Sequence, residues 1–455
     1  MTLTLLSSLD LFYTSCMTRI IVIGGGPSGL LAAGRAAEAL GGGNALLLEK
    51  TGRIGSKLLL TGQGRCNLTH EGGIPDFIPR YNDGRFLYHA FSRFFREDLL
   101  DLLARWGLKA VAEADGRIFP ATGKSQDVLA ALEKHALESG VGIRTGIGAN
   151  GILIENGAVR GVAADDDTLF QADAVILATG GCSYSATGST GDGYRLAERS
   201  GHSIVPLRPA LVPLEIREAA LAKSLQGLSL AGVRLTSFRG GAGHVTPAMV
   251  PDRDYGRGIA GKKASGTLIE SRRGDVLFTH FGISGPAVLL MSLAVVDSLG
   301  SGPVGLALDL KPDKKPEELR HELQALFDAA GKRKLSNLLE SQVPGRLSGA
   351  LVSLSGIDSD IEGHEISAEE REKLAVLLKC LKFNVVGPLS MDAAMVIAGG
   401  VSLDEIDPRT MGSKLVRGLY FCGEVMDIDG ESGGYNLQAA FSTGFLAGES
   451  AAKHI

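Results

Sequence analysis

The first strongly patterned stretch is Arg19-Ile20-Ile21-Val22-Ile23. Its unbroken β-branched run lacks polar alternation and predicts a strand covered on both faces. Leu30–Leu40 follows, rich in Ala and Leu, and predicts a helix ended by Gly41-Gly42-Gly43. Ala45-Leu46-Leu47-Leu48 predicts a second buried strand closing on Glu49. These elements form a complete βαβ unit. Residues 51–70 read as a Gly-rich loop. Phe86, Phe91, Phe94, Phe95, Leu99, Leu102, Leu103 and Trp106 share one broad face and predict a single helix over 84–106. A helix is predicted over Gln126–Ser139, strands at 142–145, 151–154 and 158–163, and a buried strand at Ala174–Ala178 that ends in Thr179-Gly180-Gly181.

The texture then changes. Residues 195–305 carry short β-like runs with glycine and proline, which suggests a small barrel or sandwich. Residues 313–380 are helical and charged, as in Lys314–Ala329 and Ala368–Leu381. From about 385 the apolar, Gly-rich character returns. The expected organisation is a nucleotide-binding domain over 17–190 and 386–455, interrupted by an inserted substrate domain over 191–385. Residues 1–16 read as a leader, disordered or mis-annotated, with Met17 the expected start.

Composition narrows the class. The chain has 455 residues, 44% hydrophobic and 21% charged, which excludes wholesale disorder. Glycine numbers 62, without a collagen period, which points to tight turns and close backbone approaches. The net charge of −5 gives no chain-wide basic footprint for nucleic acid. Five scattered cysteines (Cys16, Cys66, Cys182, Cys380, Cys422) contain no C-x-x-C pair. They argue against a disulfide framework, a dithiol relay and a zinc site, and fit a reducing cytoplasm. The histidines show no metal-ligand spacing, so no metal is expected. The apolar run Ala287–Val296 is too short to span a bilayer, and no membrane partner is expected.

The chemistry-bearing motif is Gly24-x-Gly26-Pro27-Ser28-Gly29, set between a buried strand and a helix, with Glu49 twenty residues beyond Gly29. Gly24 permits the tight turn, Gly26 lets backbone approach a pyrophosphate, and Gly29 allows close helix–strand packing. Glu49 can accept hydrogen bonds from both ribose hydroxyls and would repel a 2′-phosphate, so this site prefers FAD or NAD to NADP. Arg417–Glu424 reads as a strand into a Gly-acid turn, and Gly433-Gly434-Tyr435-Asn436-Leu437-Gln438 opens an Ala/Gly-rich helix. A returning segment of this kind suits FAD, whose flavin must be gripped far from its adenine. No second strand–GxGxxG–helix unit occurs. NAD(P)H, if used, is therefore a transient electron donor.

The first turn with Glu49, Ala178-Thr179-Gly180-Gly181 and Gly423-Glu424 resemble the two-dinucleotide-fold flavoproteins. Three further segments, Gly62–Thr69, Leu277–Ala287 and Gly423–Gly430 running into Gly433–Gln438, are narrower. Together they are similar to the YhiN/BaiN family of bacterial FAD-dependent NAD(P)H oxidoreductases, the aminoacetone-oxidase-like flavoproteins, from about Thr18 to Ala451. The resemblance implies an α/β FAD-binding Rossmann domain interrupted by an inserted β-barrel plus helical subdomain. It implies an FAD enzyme, and favours NAD(P)H-driven reduction of a polarised C=C bond in an enone or a uracil-like ring. The alternatives are an oxygen-dependent amine oxidase and an RNA-binding flavoprotein that modifies ribosomal RNA.

The cofactor contacts expected on this reading are Gly24, Gly26, Pro27, Ser28, Gly29, Glu49 and Lys50 in the βαβ unit. Lys57, Gly62, Gly64, Arg65, Cys66 and Asn67 follow in the loop, where Gln63 replaces the family's usual small residue. Ala178, Thr179, Gly180, Gly423, Glu424, Gly434, Tyr435, Asn436 and Gln438 complete the set. Cys66, His280 and Tyr435 are the candidate proton donors. Residues 221–274 hold nine Lys/Arg (Lys223, Arg234, Arg239, Arg253, Arg257, Lys262, Lys263, Arg272, Arg273) against Asp252, Asp254 and Glu270. This basic stretch is a candidate contact for an anionic substrate or RNA.

Overall fold

The computed structural model describes residues 19–256 and 267–455. The expected leader, Met17, Arg257, Lys262 and Lys263 lie outside the described residues. The chain forms two compact units, one reaching to Arg208 and resuming at Val396, the other spanning Pro209–Met395. The helix Asp192–Arg199, beyond the expected boundary at 190, belongs to the first unit.

The first unit is built on a five-stranded parallel sheet. Its order is Leu419–Phe421, Ala174–Leu177, β1 (Ile20–Ile23), β2 (Ala45–Glu49), Gly142–Thr145. β1 is buried along its whole length, as is Ala174–Leu177. That is why both read as continuous apolar runs. The helix α1 (Pro27–Leu40) connects β1 to β2 and ends on the left-handed Gly41. The C-terminal helix Tyr435–Lys453 packs on α1 so closely that a Cβ at Gly444 or Gly448 would fall 2.4 Å from Ser28 O or 2.2 Å from Ala32 O.

The predicted helix over 84–106 is two helices, Gly84–Arg93 and Arg96–Arg105. Phe94 and Phe95 are extended between them, and the Phe95 N–H donates to Asp98 Oδ2 at 2.8 Å. The break sends adjacent rings to different neighbours. Phe94 stacks on Phe445 and Phe95 packs edge-on against Phe77. A continuous helix would hold the two side chains about 100° apart.

The second unit contains a closed six-stranded barrel, ordered Leu214–Ile216, Gly282–Ser284, Leu268–Phe278, Ser229–Arg239, Val304–Asp309, Leu381–Pro388. The apolar run Ala287–Val296 lies in the helix Pro286–Leu299, whose Val288, Met291 and Val295 join the barrel core. The helices Pro316–Asp328, Gly345–Ser355 and Ala368–Lys379 pack into the same core. No described helix is long and apolar enough to cross a membrane.

Candidate functional site

The turn between β1 and α1 separates three glycine roles. Gly24 is left-handed, and a Cβ there would sit 2.5 Å from Ala178 O. A Cβ at Gly29 would sit 1.9 Å from Gly24 O, so this glycine is required by the fold itself. Gly26 meets nothing within 4 Å. It is the N-cap of α1, with Pro27 at the first helical position, so the helix N-terminus opens onto free space suited to a phosphate. Ser28 is buried, its hydroxyl beside Cys422 and the position a Gly423 Cβ would take. That leaves its backbone rather than its side chain for a ligand.

At the end of β2, Glu49 Oε2 accepts from Gly25 N at 2.8 Å, and Oε1 accepts from Thr51 N and Thr51 Oγ1, each at 2.8 Å. The carboxylate is thus oriented from both sides, with one lone pair on Oε2 left over for a ribose hydroxyl. Glu49→Ala is expected to weaken FAD binding by about 1.5–3 kcal/mol through the lost charged hydrogen bonds, measured by flavin fluorescence titration. Unaltered affinity would assign the ribose to another residue. Lys50 turns away from the expected ligand position. Its ammonium donates to Thr190 Oγ1 and Asp192, at the start of the helix Asp192–Arg199. Burial, and more weakly Arg195, lowers its pKa, with Glu49 acting against the shift.

In the loop after β2, Lys57 Nζ donates to Ser183 Oγ at 2.9 Å and to Glu424 Oε2 at 2.7 Å. Glu424 Oε1 accepts from Ile397 N at 3.0 Å. Four chain segments therefore meet at this ion pair beside Gly180 and Gly181. Gly62, Gln63, Gly64 and Cys66 all have left-handed backbone. Gln63 thus occupies a conformation that glycine adopts without cost. Arg65 packs over Phe119, 4.1 Å from the ring centre, and pairs with Glu113. The expected acid Cys66 is wholly enclosed in the core. Burial pushes its thiol up to about 12 against a hydrogen bond to Thr61. That side chain offers no surface to a substrate.

Asn67 Oδ1, Thr69 Oγ1, Thr179 Oγ1 and Gln438 Oε1 are buried and make no hydrogen bond. Buried acceptors are ordinarily satisfied, so such atoms point to a missing donor. Thr179 Oγ1 lies against Gly193, where a Cβ would fall 1.9 Å away. Gln438 is held through its amide, which donates to Ser442 Oγ at 3.0 Å, and its oxygen is left over. These atoms are enclosed by protein, so the fit to FAD rests on the free approach at Gly26 and the oriented Glu49. Asn436 does not join them. Its amide accepts from Gly430 N and donates to Gly430 O and Glu431 O, bracing its own loop.

Tyr435 starts the C-terminal helix after Gly434, whose left-handed backbone lies so near Thr69 that a Cβ would be 2.5 Å from Thr69 O. Tyr81 Oη donates to Tyr435 O at 2.7 Å. The Tyr435 ring stacks on His70 and meets Phe77 edge-on. His70 is not among the residues that the motifs single out. Its one sequence signal is its place directly after the Gly62–Thr69 motif. His280 lies in the second unit, exposed in the turn between Leu268–Phe278 and Gly282–Ser284, with its ring against Phe281. Among the described residues no group of three or more His, Cys, Asp or Glu could hold a metal ion.

Three of the nine cations in the basic stretch are ion-paired. Arg272 is buried and paired with Glu270, Arg273 is paired with Asp313, and Arg234 is buried and paired with Asp254. Lys223, Arg239 and Arg253 remain exposed.

The model of the HI0933-like protein Rossmann domain matches residues 18–450. The chain belongs to this family, in agreement with the motif resemblance. It is 32% identical to a 3-dehydro-bile acid Δ(4,6)-reductase of Clostridium scindens, over 96% of this chain and all of that one. It is 29% identical to a ribosomal RNA dihydrouridine synthase of Escherichia coli, over 94% of this chain and 96% of that one. Among solved structures, a 3-ketosteroid-Δ4-(5α)-dehydrogenase of Rhodococcus jostii matches with a TM-score of 0.46 at 14% identity, over 98% of each chain.

Proposed function

We propose that the chain is an FAD-dependent oxidoreductase that reduces a polarised C=C bond, an enone or a uracil-like ring, with NAD(P)H as a transient electron donor. The observation that carries the proposal is the open N-terminus of α1 at Gly26 together with the Glu49 carboxylate that Gly25 and Thr51 orient. Both sequence relatives bear the names of C=C reductions, one on a bile acid and one on an RNA base. The free thiols of the described cysteines support a reducing, cytoplasmic setting.

FAD, when bound, supplies hydride transfer. The chain's own groups do the rest. The α1 N-terminus and Glu49 bind the adenosine diphosphate. Lys57, neutralised by Glu424, retains one N–H beyond those given to Ser183 and Glu424. Of the three proton-donor candidates, Tyr435 has the suitable geometry, with a fixed ring and a hydroxyl that makes no hydrogen bond among the described residues. Its pKa is raised by burial and by Glu431 and Asp76, against Arg80, so the phenol stays protonated at neutral pH. A small enone is favoured over RNA to the extent that Arg234, Arg272 and Arg273, three of the nine cations expected to contact phosphate, are ion-paired.

An anaerobic titration of the flavin-loaded protein with NADH and NADPH tests this. Bleaching of the flavin band by one nicotinamide, with slow recovery in air, is expected. No bleaching by either would remove NAD(P)H as donor. Fast recovery with peroxide release would favour the amine oxidase.

A further inference from the structure

We propose that His70 is a positioning residue, which acts by holding the ring of Tyr435 so that its hydroxyl meets the substrate carbon that takes up a proton. The proposal rests on the C=C reductase reading and adds to it a residue and a role. The His70 and Tyr435 rings lie 5.2 Å apart between centres and 15° from parallel. His70 is itself fixed. Its Nδ1 lies 2.9 Å from Glu71 O, and since a carbonyl only accepts, Nδ1 carries the proton in this bond. Glycines stand on both sides of the imidazole. A Cβ at Gly116 would fall 2.5 Å from His70 Cε1, and one at Gly433 would fall 3.5 Å from His70 Cδ2. The remaining contacts of Tyr435 are Phe77 at 4.9 Å, Tyr81 at 6.2 Å and the Arg80 guanidinium at 5.9 Å, all between centres. Arg80 is tied to Glu431 at 2.9 Å. Among the described residues His70 is the one parallel ring partner of Tyr435, and thus limits its rotation about the Cα–Cβ bond.

In the step concerned, hydride adds to one carbon of the C=C bond. The electron pair of that bond moves onto the conjugated carbonyl. The adjacent carbon then takes the proton of Tyr435 Oη, which solvent restores. The two electrons come from NAD(P)H.

The test compares turnover of 2-cyclohexenone, which needs a proton, with turnover of ferricyanide, which needs none, in the flavin-loaded enzyme with NAD(P)H. Tyr435→Phe is expected to lower the enone-to-ferricyanide ratio about 100-fold, the range of a lost general acid. His70→Ala is expected to lower it about ten-fold, through kcat rather than KM, because the donor is misdirected. His70→Phe, which keeps a flat ring, is expected to restore most of the loss. In holoprotein carrying 3-fluorotyrosine, the fluorine signal absent from Tyr435→Phe is expected to shift in His70→Ala and to return in His70→Phe. Equal ratios in wild type and His70→Ala would overturn the proposal, as would a His70→Phe enzyme as impaired as His70→Ala. If wild type reduces ferricyanide but not the enone, the fluorine signals alone decide the positioning role, and an unmoved signal overturns it. Absence of any NAD(P)H oxidation in wild type would instead count against the donor in the underlying reading.

Discussion

Gly26→Val is expected to leave the protein folded and to strip it of FAD. The side chain would project from the N-cap of α1 into space that no protein atom occupies within 4 Å. It therefore meets nothing in the apoprotein. In the loaded protein it would stand where the pyrophosphate must approach the first-turn N–H groups. Flavin content after purification is expected to fall below a tenth of wild type, with the thermal midpoint of the apoprotein changed by no more than a few degrees. Gly29→Val is the control that separates the two glycine roles. Its Cβ would lie 1.9 Å from Gly24 O, so insoluble or unfolded protein is expected. A fully flavinated Gly26→Val protein would disprove the nucleotide assignment of this turn.

The contrast also shows what a sequence can convey about a site. Spacing alone marks Gly24, Gly26 and Gly29, because all three lie in the one turn between β1 and α1. The strands β1 and Ala174–Leu177 are legible for a similar reason, since burial on both faces leaves an unbroken apolar run. Tertiary choices are not legible. Phe94 and Phe95 fit a helical stripe as well as their neighbours do, and the break between them depends on Phe77 and Phe445, far along the chain. Lys50, Arg65 and Asn436 lie inside the motifs, yet their side chains bond to Asp192, Glu113 and Gly430. Arg272 and Arg273 read as a basic stretch because a count of charges does not show which of them pair. Glu270 is two residues from Arg272, but Asp313 is forty from Arg273. His70 is the converse case. A lone histidine after a motif carries no signal until the fold lays it flat on a residue 365 positions later.

The second large effect concerns Glu449, in the last turns of the C-terminal helix. Its side chain is 5% exposed and receives Arg35 at 2.8 Å, Arg93 at 2.9 Å and Lys453 at 3.2 Å. Burial alone would raise its pKa, but the hydrogen bonds from Arg35, Arg93 and Lys453 outweigh it and bring the carboxyl down to about 2. Arg35 belongs to α1 and Arg93 to the helix Gly84–Arg93, so one carboxylate joins three helices. Removing it leaves three neighbouring cations without their shared acceptor. Glu449→Ala is expected to cost about 2 kcal/mol in urea unfolding, within the range for hydrogen bonds to a charged group. The sign of the pH dependence follows from the depressed pKa. The contribution is complete above the unfolded carboxyl value near 4.5 and is lost as pH falls from there to about 2. Wild type should therefore lose stability across that window more steeply than Glu449→Ala, and parallel pH curves would refute the assignment. The consequence reaches the site, because α1 begins at the Gly26 turn and the C-terminal helix begins at Tyr435. Their separation is set by Gly444 and Gly448 against the α1 backbone and is locked by Glu449 at the far end. Loosening that lock should release FAD at urea concentrations below the unfolding transition, which flavin fluorescence and circular dichroism on the same samples would resolve.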